Sequence, residues 1–363
     1  MRQTCPRTLT TGLILQRTAV LVLSALTLTM LASCSSQDSA AATNGETQLR
    51  ATAELPVVEG KVRDQFKRDL ASSVRAGMRP RVFAKLGDSN IASFNTVYGL
   101  GCFKPVFDRF RYLEKTWARY RSVRLPAGYP VPWGSLASAP CARANSFSRF
   151  SAATRSGFFS NQLLTQPRQL LAEDPPYPGW APDPVCPADD TITKCEIDRI
   201  RPRYSIISIG VNDQAFLLPT GRAAVERFGG IVSEVRRNGS IPILSTIPPH
   251  LDSSAESGNW NYVVEINQAI VSAARSYRVP LINVWRPLAS KAMVNFGMEP
   301  SGLHLETLGG YDKPGALRRS VDFRPRGLKF GNNRRNLMIL QALRRLDREV
   351  AELGRSSSSS GPS

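Results

Sequence analysis

The sequence predicts an α/β protein built on a mainly parallel sheet, and three observations carry that reading. Short β-branched runs alternate with amphipathic stretches of helical period, the pattern of successive βαβ units. The runs are apolar along their whole length, as strands covered on both faces must be. Helix-to-strand boundaries carry the expected breakers, most plainly at Gly239 and Pro242.

Taken in order, the helical period first runs over Val62–Met78 and leads into a strand at Arg81–Leu86. A second strand is expected at Tyr204–Ile209. The helix Ala223–Arg237 then precedes a strand at Ile241–Ile247, the helix Tyr262–Tyr277 precedes one at Val279–Val284, and Asn336–Leu353 closes the domain. Two stretches break the alternation. Residues 102–146 hold Arg/Tyr/Trp clusters and Pro-rich turns, and residues 174–190 hold six prolines with Tyr177 and Trp180 among them. Both are read as loop insertions at the rim of the sheet, and no internal repeat is present.

The amino terminus has the pattern of an export signal. Basic residues precede an apolar run from Ala19 to Leu31, too short for a membrane span, and small residues stand just before Cys34. The segment Leu31-Ala32-Ser33-Cys34 resembles a bacterial lipobox, which implies that Cys34 is acylated and anchors the chain to a membrane of the cell envelope. The expected organisation is a signal peptide over 1–33, a Ser/Ala/Thr-rich flexible tether over 34–55, a folded domain over 56–353 and a disordered Ser-rich tail over 354–363.

The formal charge is +18, and residues 1–33 contribute three arginines and no acids to it. A surface this basic attracts polyanions. The basic residues are mostly arginines scattered through ordered segments, without zinc-knuckle spacing, an aromatic RNA-binding strand or a lysine-rich arm, so no nucleic-acid partner is expected. In an envelope compartment an acylated polysaccharide or a lipid fits the charge.

Of the six cysteines, Cys5 falls in the signal and Cys34 is assigned to lipid. An even number in an exported chain points to two disulfides among Cys102, Cys141, Cys186 and Cys195. Three pairings are possible, and the local one, Cys102 with Cys141 and Cys186 with Cys195, closes one insertion each. No Cys-x-x-Cys spacing supports a metal site.

In open α/β sheets ligands bind beyond the carboxyl ends of the strands. The first strand ends in Gly87-Asp88-Ser89-Asn90 and the second in Gly210-Val211-Asn212-Asp213; Ser301-Gly302-Leu303-His304 follows the fourth. A nucleophilic serine needs exposure on a sharp turn, a base, and donors aimed at the developing oxyanion. Gly87 permits a tight approach that puts Ser89 at a helix start, and Asn212 offers a neutral amide donor. Only His250 and His304 can serve as the base. His304 lies in a polar, Gly-containing loop after the last strand, whereas His250 reads as a rim residue.

These blocks, in this order, resemble the SGNH branch of the GDSL hydrolases. The likeness extends to Leu244–Pro249 (Leu-Ser-Thr-Ile-Pro-Pro) and to Gly327–Leu337 (Gly-Leu-x-x-Gly-x-Asn-x-Arg-Asn-Leu), and it runs from about Arg79 to Leu346. The resemblance implies a flavodoxin-like three-layer α/β/α sandwich that hydrolyses esters without cofactor or metal. It further implies Ser89 as nucleophile, His304 as base, and an oxyanion site formed by the Ser89 N–H, the Asn212 side chain and a glycine. Gly157, in Thr154-Arg155-Ser156-Gly157-Phe158, is the choice for that glycine, with Gly101 as the alternative. Asp88, Asp213 and Ser301 are expected to support the site.

The departure from the family pattern is at Ser301, where an Asp three residues before the histidine usually orients the imidazole. Without it the site is a Ser–His dyad of reduced activity, unless Glu299, Glu306, Asp312 or a backbone carbonyl stands in. Asn90 replaces the usual Leu after the nucleophile. Three function classes follow: an ester hydrolase acting on an O-acylated envelope polysaccharide or lipid, an impaired relative that binds an acidic glycan, and an envelope O-acyltransferase.

Overall fold

A computed structural model of the chain describes residues 44–92, 96–126, 144–166, 186–214, 218–249, 258–290, 293, 297–299, 302, 304–310 and 313–358. Gly45–Ser363 forms one compact unit. The lipobox with Cys34, the histidine His250 and the aromatics Tyr177 and Trp180 lie outside the described residues, as do Cys141, Ser301 and Asp312.

In chain order the elements that matter are α1 (Gly60–Arg75), β1 (Arg79–Gly87), the single turn α2 (Ser89–Ala92), α3 (Glu114–Arg121), α4 (Ile192–Ile200), β2 (Pro202–Ser208), α5 (Gly221–Arg237), β3 (Ile241–Ser245), α6 (Gly258–Tyr277), β4 (Leu281–Ile282) and α7 (Gly331–Ser358). The four strands form one sheet in the order β1-β2-β3-β4, every pair parallel. On the outer side of β1, Gly87 makes a single parallel bridge to Thr154, which occupies a fifth strand position reduced to one residue pair.

Successive strand residues face opposite layers. Ala84, Leu86, Ile207 and Leu244 join a core with α4, α5 and α6, including Ile197, Phe228 and Ile270. Phe83, Ile206, Ile243 and Ile282 join a second core with α1, α3 and α7, including Phe66, Trp117, Leu340 and Leu343. Helices therefore cover both faces of the sheet. This is the three-layer α/β/α architecture that the sequence implies, and it explains why the strands read as uninterrupted apolar runs.

Four expectations are corrected. The tether was drawn to residue 55, yet residues 44–51 are helical and Leu49 is fully buried. Asn283 fixes this segment: its side chain donates to the carbonyls of Leu49 (2.8 Å) and Thr52 (3.1 Å), and its N–H donates to Glu54 (2.9 Å). The fourth strand is also shorter than the expected Val279–Val284, pairing with its neighbour only over Leu281–Ile282. The insertion at 102–146 contains α3, whose Trp117 and Tyr120 are buried. Leu113, Trp117 and Tyr120 stand at i, i+4 and i+7, an apolar stripe obscured by Glu114, Lys115 and Arg119 between them. Finally, the last helix continues to Ser358, into the stretch expected as a disordered tail.

Cys186 and Cys195 are disulfide-bonded, tying the start of α4 to the chain before it. Cys102 is also in a disulfide.

Candidate active site

β1 ends where its neighbour comes too close for a side chain. A Cβ on Gly87 would lie 1.9 Å from the carbonyl oxygen of Ser208 on β2, so only glycine fits. The chain turns there, and Asp88 and Ser89 follow directly.

Asp88 is fully buried and joins two blocks of the sequence. Its Oδ1 accepts from the Asn90 N–H (2.9 Å), and its Oδ2 accepts from the N–H groups of Gly210 (3.2 Å) and Val211 (3.4 Å). Burial pushes its carboxyl up to about 6, against the opposing pull of those N–H donors and of the Arg335 charge. Asp213, equally buried, faces another way. It accepts from the Ser160 N–H (2.7 Å), the Ser160 hydroxyl (2.6 Å) and Arg227 (3.1 Å), and so braces the loop around residue 160.

Ser89 and His304, 215 residues apart, meet: Nε2 of His304 is 3.1 Å from Oγ of Ser89. The other ring nitrogen, Nδ1, is 2.6 Å from Oε1 of Glu299, which also accepts the His304 backbone N–H at 3.1 Å. Glu299 thus occupies the place behind the imidazole that the sequence left open. Glu306, another candidate, instead accepts from the Thr307 N–H.

The backbone explains how a carboxylate five residues upstream reaches the ring. Met298 and Leu305 form an antiparallel bridge, Glu299 N–H donates to the His304 carbonyl (3.0 Å), and Gly302, at φ +70°, turns the chain between them. Glu299 and His304 are therefore cross-strand neighbours in a tight hairpin, where side chains stand about 5 Å apart. Reading by fixed offset from the histidine misses this; a Glu and a His flanking a Gly-containing turn is the signal that finds it.

The candidate oxyanion residues are carried on loops tied to the same strand ends. Gly87 N–H donates to Ala153 (2.8 Å) and Arg155 N–H donates to Gly87 (3.0 Å), which docks the segment leading to Gly157 beside the Ser89 turn. Gly157 itself has φ +83°. The Asn212 side chain donates one N–H to the Phe158 carbonyl (2.8 Å), which fixes its amide and leaves the second N–H of the group. Gly101, the alternative, is packed against Ser148 and Asn145, where a Cβ would lie 2.5 Å from the Ser148 side chain. Its position is that of a packing glycine.

The Gly327–Leu337 block proves to be the clamp of the site. The Asn332 side chain donates to the carbonyl of Leu305, next to His304, and to the Thr307 hydroxyl. Arg335, buried and lowered to about 10 by that burial, donates to the Asn90 carbonyl, next to Ser89, and to the Ser208 hydroxyl at 2.8 Å. Asn336 accepts from the Val97 N–H (2.7 Å) and donates to the Ser320 carbonyl (3.1 Å). One helix turn thus holds the serine loop and the histidine loop together. Asn90 is itself buried, and its carboxamide has no hydrogen-bond partner among the described residues.

Among the described residues no three His, Cys, Asp or Glu side chains converge as a cation site requires. What the arrangement can do is move a proton from a hydroxyl to an imidazole backed by a carboxylate.

Comparison with known proteins agrees in kind. The model of the GDSL-like Lipase/Acylhydrolase family matches residues 86–310. The chain belongs to the GDSL-like acylhydrolases. A solved lipase/acylhydrolase from Enterococcus faecalis is similar at 14% identity, over 65% of this chain and 91% of that one, with a TM-score of 0.37. No curated protein matches the chain. Membership in this SGNH/GDSL group assigns a hydrolytic, ester-cleaving activity class and leaves the acyl group and the alcohol open.

Proposed function

We propose that this GDSL-like acylhydrolase is a serine esterase of the cell envelope that works through Ser89, His304 and Glu299. The observation that carries the reading is the unbroken series of contacts from the Ser89 hydroxyl through the imidazole to the Glu299 carboxylate.

In the mechanism that fits this geometry, Ser89 Oγ attacks the acyl carbonyl as His304 Nε2 takes its proton. Glu299 holds Nδ1–H and stabilises the imidazolium that forms. The oxyanion is bound by the backbone N–H groups of Ser89 and Gly157 and by the Asn212 amide. Collapse of the tetrahedral intermediate transfers the His304 proton to the departing alcohol. Water, activated by the same imidazole, then releases the acid and restores the serine.

The substrate class that best suits a basic exported chain is an O-acylated, acidic envelope polysaccharide, with Cys34 as the lipid anchor that retains the enzyme beside it. Glu299 removes the main argument for an impaired binding relative, since that reading rested on a missing carboxylate.

The test is active-site labelling. A fluorophosphonate should form one adduct, mapped to Ser89, and Ser89→Ala should abolish both the adduct and turnover of p-nitrophenyl acetate. An adduct elsewhere, or none on folded protein, overturns the assignment. Release of acyl groups that requires a sugar acceptor instead of water would reassign the same serine chemistry to transfer. Loss of membrane association in Cys34→Ala would support the anchor.

A further inference from the structure

The reaction described above makes no use of a groove on the flank of the domain, between α1, the 3-10 turn Asp108–Leu113 and the carboxyl half of α7. It has a volume of about 570 Å³, within the roughly 300–1,000 Å³ typical of ligand sites. Its lining from α7 includes Gln341, Arg344, Arg345 and Arg348. Arg335 of the same helix touches the serine loop, and Arg344 to Arg348 lie nine to thirteen residues further on, or ~13–20 Å at about 1.5 Å per residue. The groove is therefore separate from the reacting atoms.

Its cations are of two kinds. Arg63 is paired with Glu349 at 2.6 Å and Arg348 with Glu352 at 4.0 Å. Arg344 and Arg345 have no carboxylate partner among the described residues. Arg344 is nevertheless held in place: its guanidinium stacks 4.6 Å from the ring centroid of Tyr112, whose hydroxyl accepts from Gln341 at 3.0 Å. A stacked guanidinium keeps its N–H edges free, and such an edge matches a carboxylate with two parallel hydrogen bonds. Tyr112 is 46% exposed, which leaves part of its ring open to a ligand.

The remaining lining selects among polyanions. Glu59, Glu349 and Glu352 face the same groove. They would repel a nucleic acid, which carries one charge about every 1.7 Å of duplex axis. A sugar chain with one carboxylate per ring and several hydroxyls satisfies both sets of groups. Its carboxylates meet Arg344 and Arg345, its hydroxyls donate to the glutamates, and its rings lie on Tyr112. The same glutamates disfavour a uniformly anionic membrane surface.

We infer that this groove is a binding site for a carboxylated polysaccharide, separate from the catalytic cleft, that holds a uronate-type chain on the enzyme. The inference deepens the polysaccharide reading above and rests on it only for the purpose of the tethering. The binding itself does not require Ser89.

The test measures binding of oligogalacturonate to the full chain by calorimetry at low ionic strength, with the methyl-esterified oligomer as uncharged control. The acidic oligomer should bind and the esterified one should not. Arg344→Gln/Arg345→Gln should weaken binding by at least about tenfold, as loss of two charge-assisted contacts implies. Turnover of p-nitrophenyl acetate should be unchanged. Arg222→Gln/Arg318→Gln, which removes the same charge from exposed sites elsewhere, should leave binding unchanged. Ser89→Ala should bind as wild type does, so failure of the hydrolase reading and failure of this one are told apart. Should the double variant fail to fold, Arg345→Gln alone, at an exposed position, carries the same comparison. Absence of binding overturns the inference, as does an equal loss in the control pair. It is also overturned if the groove substitutions reduce binding to anionic phospholipid vesicles or to single-stranded DNA but not to the oligomer.

Discussion

In the proposed mechanism Ser89, His304 and Glu299 form a chemical unit in which each member has one job that a single substitution removes. Glu299→Gln keeps the shape but withdraws the charge that stabilises the imidazolium and can present the wrong face to Nδ1. By analogy with triads that lose their carboxylate, kcat should fall by about 10²–10⁴ with KM changed little. Steady-state kinetics on the ester decide it, and a variant of undiminished kcat would show that the 2.6 Å contact does not orient the base. Asn90 makes the opposite case. Its buried amide has no partner among the described residues and so bears a desolvation cost without a compensating hydrogen bond. Replacing it with leucine, the residue usual in this family at that place, should raise unfolding free energy by about 1–3 kcal/mol while fluorophosphonate labelling of Ser89 persists. Denaturant titration measures this; destabilisation would mean that the amide has a role in the cleft.

Elements are joined to the site by buried polar contacts, and the strongest of these lies behind the Gly157 loop. Arg149 and Glu196, exposed by only 2% and 1%, form a bidentate pair with contacts of 3.0 and 2.8 Å, and Glu196 also accepts the Ala152 N–H at 3.0 Å. Glu196 stands on α4 next to Cys195, so the disulfide, the helix and the loop to Gly157 form one assembly. Breaking a buried pair leaves an uncompensated charge, and Glu196→Gln should cost about 3–5 kcal/mol of stability. Replacing both partners with methionine should cost much less, and urea unfolding of the single and double variants makes the comparison. If the single variant were as stable as wild type, the pair would not be what secures the loop.

The whole molecule pays attention to pH through Lys85, which lies inside the sheet layer with its ammonium donating to the Phe147 carbonyl at 2.8 Å. Burial lowers it from 10.5 to about 7; Glu196 opposes that shift and Arg149 adds to it. Between pH 7 and 10.5 the unfolded chain therefore holds a proton that the folded chain has released, and stability rises with pH across that window. Below pH 7 the full cost of burying the charge applies. Lys85→Met removes this dependence. Its stability relative to wild type should be most favourable at pH 6 and decline by on the order of a few kcal/mol toward pH 10, read from thermal unfolding as a function of pH. A difference that does not vary with pH would place the Lys85 titration outside this range.

The sequence by itself determined the layers, the approximate places of the strands and the order of the blocks, because apolar runs and period-3.6 burial are local properties that each segment writes into its own residues. It also supplied Ser89, His304 and Asn212, since a turn glycine before a serine and a chain with two histidines leave few choices. It missed α3, where Glu114, Lys115 and Arg119 interrupt the apolar stripe, and it extended the tether over Leu49, a segment held by the distant Asn283. Only the tertiary structure decided which carboxylate backs the imidazole. Glu299 reaches His304 across a hairpin, and Asn332 and Arg335 reach the serine and histidine loops from a helix far along the chain. Such pairings depend on where a turn folds back and on contacts between residues hundreds of positions apart, and neither is encoded in local spacing.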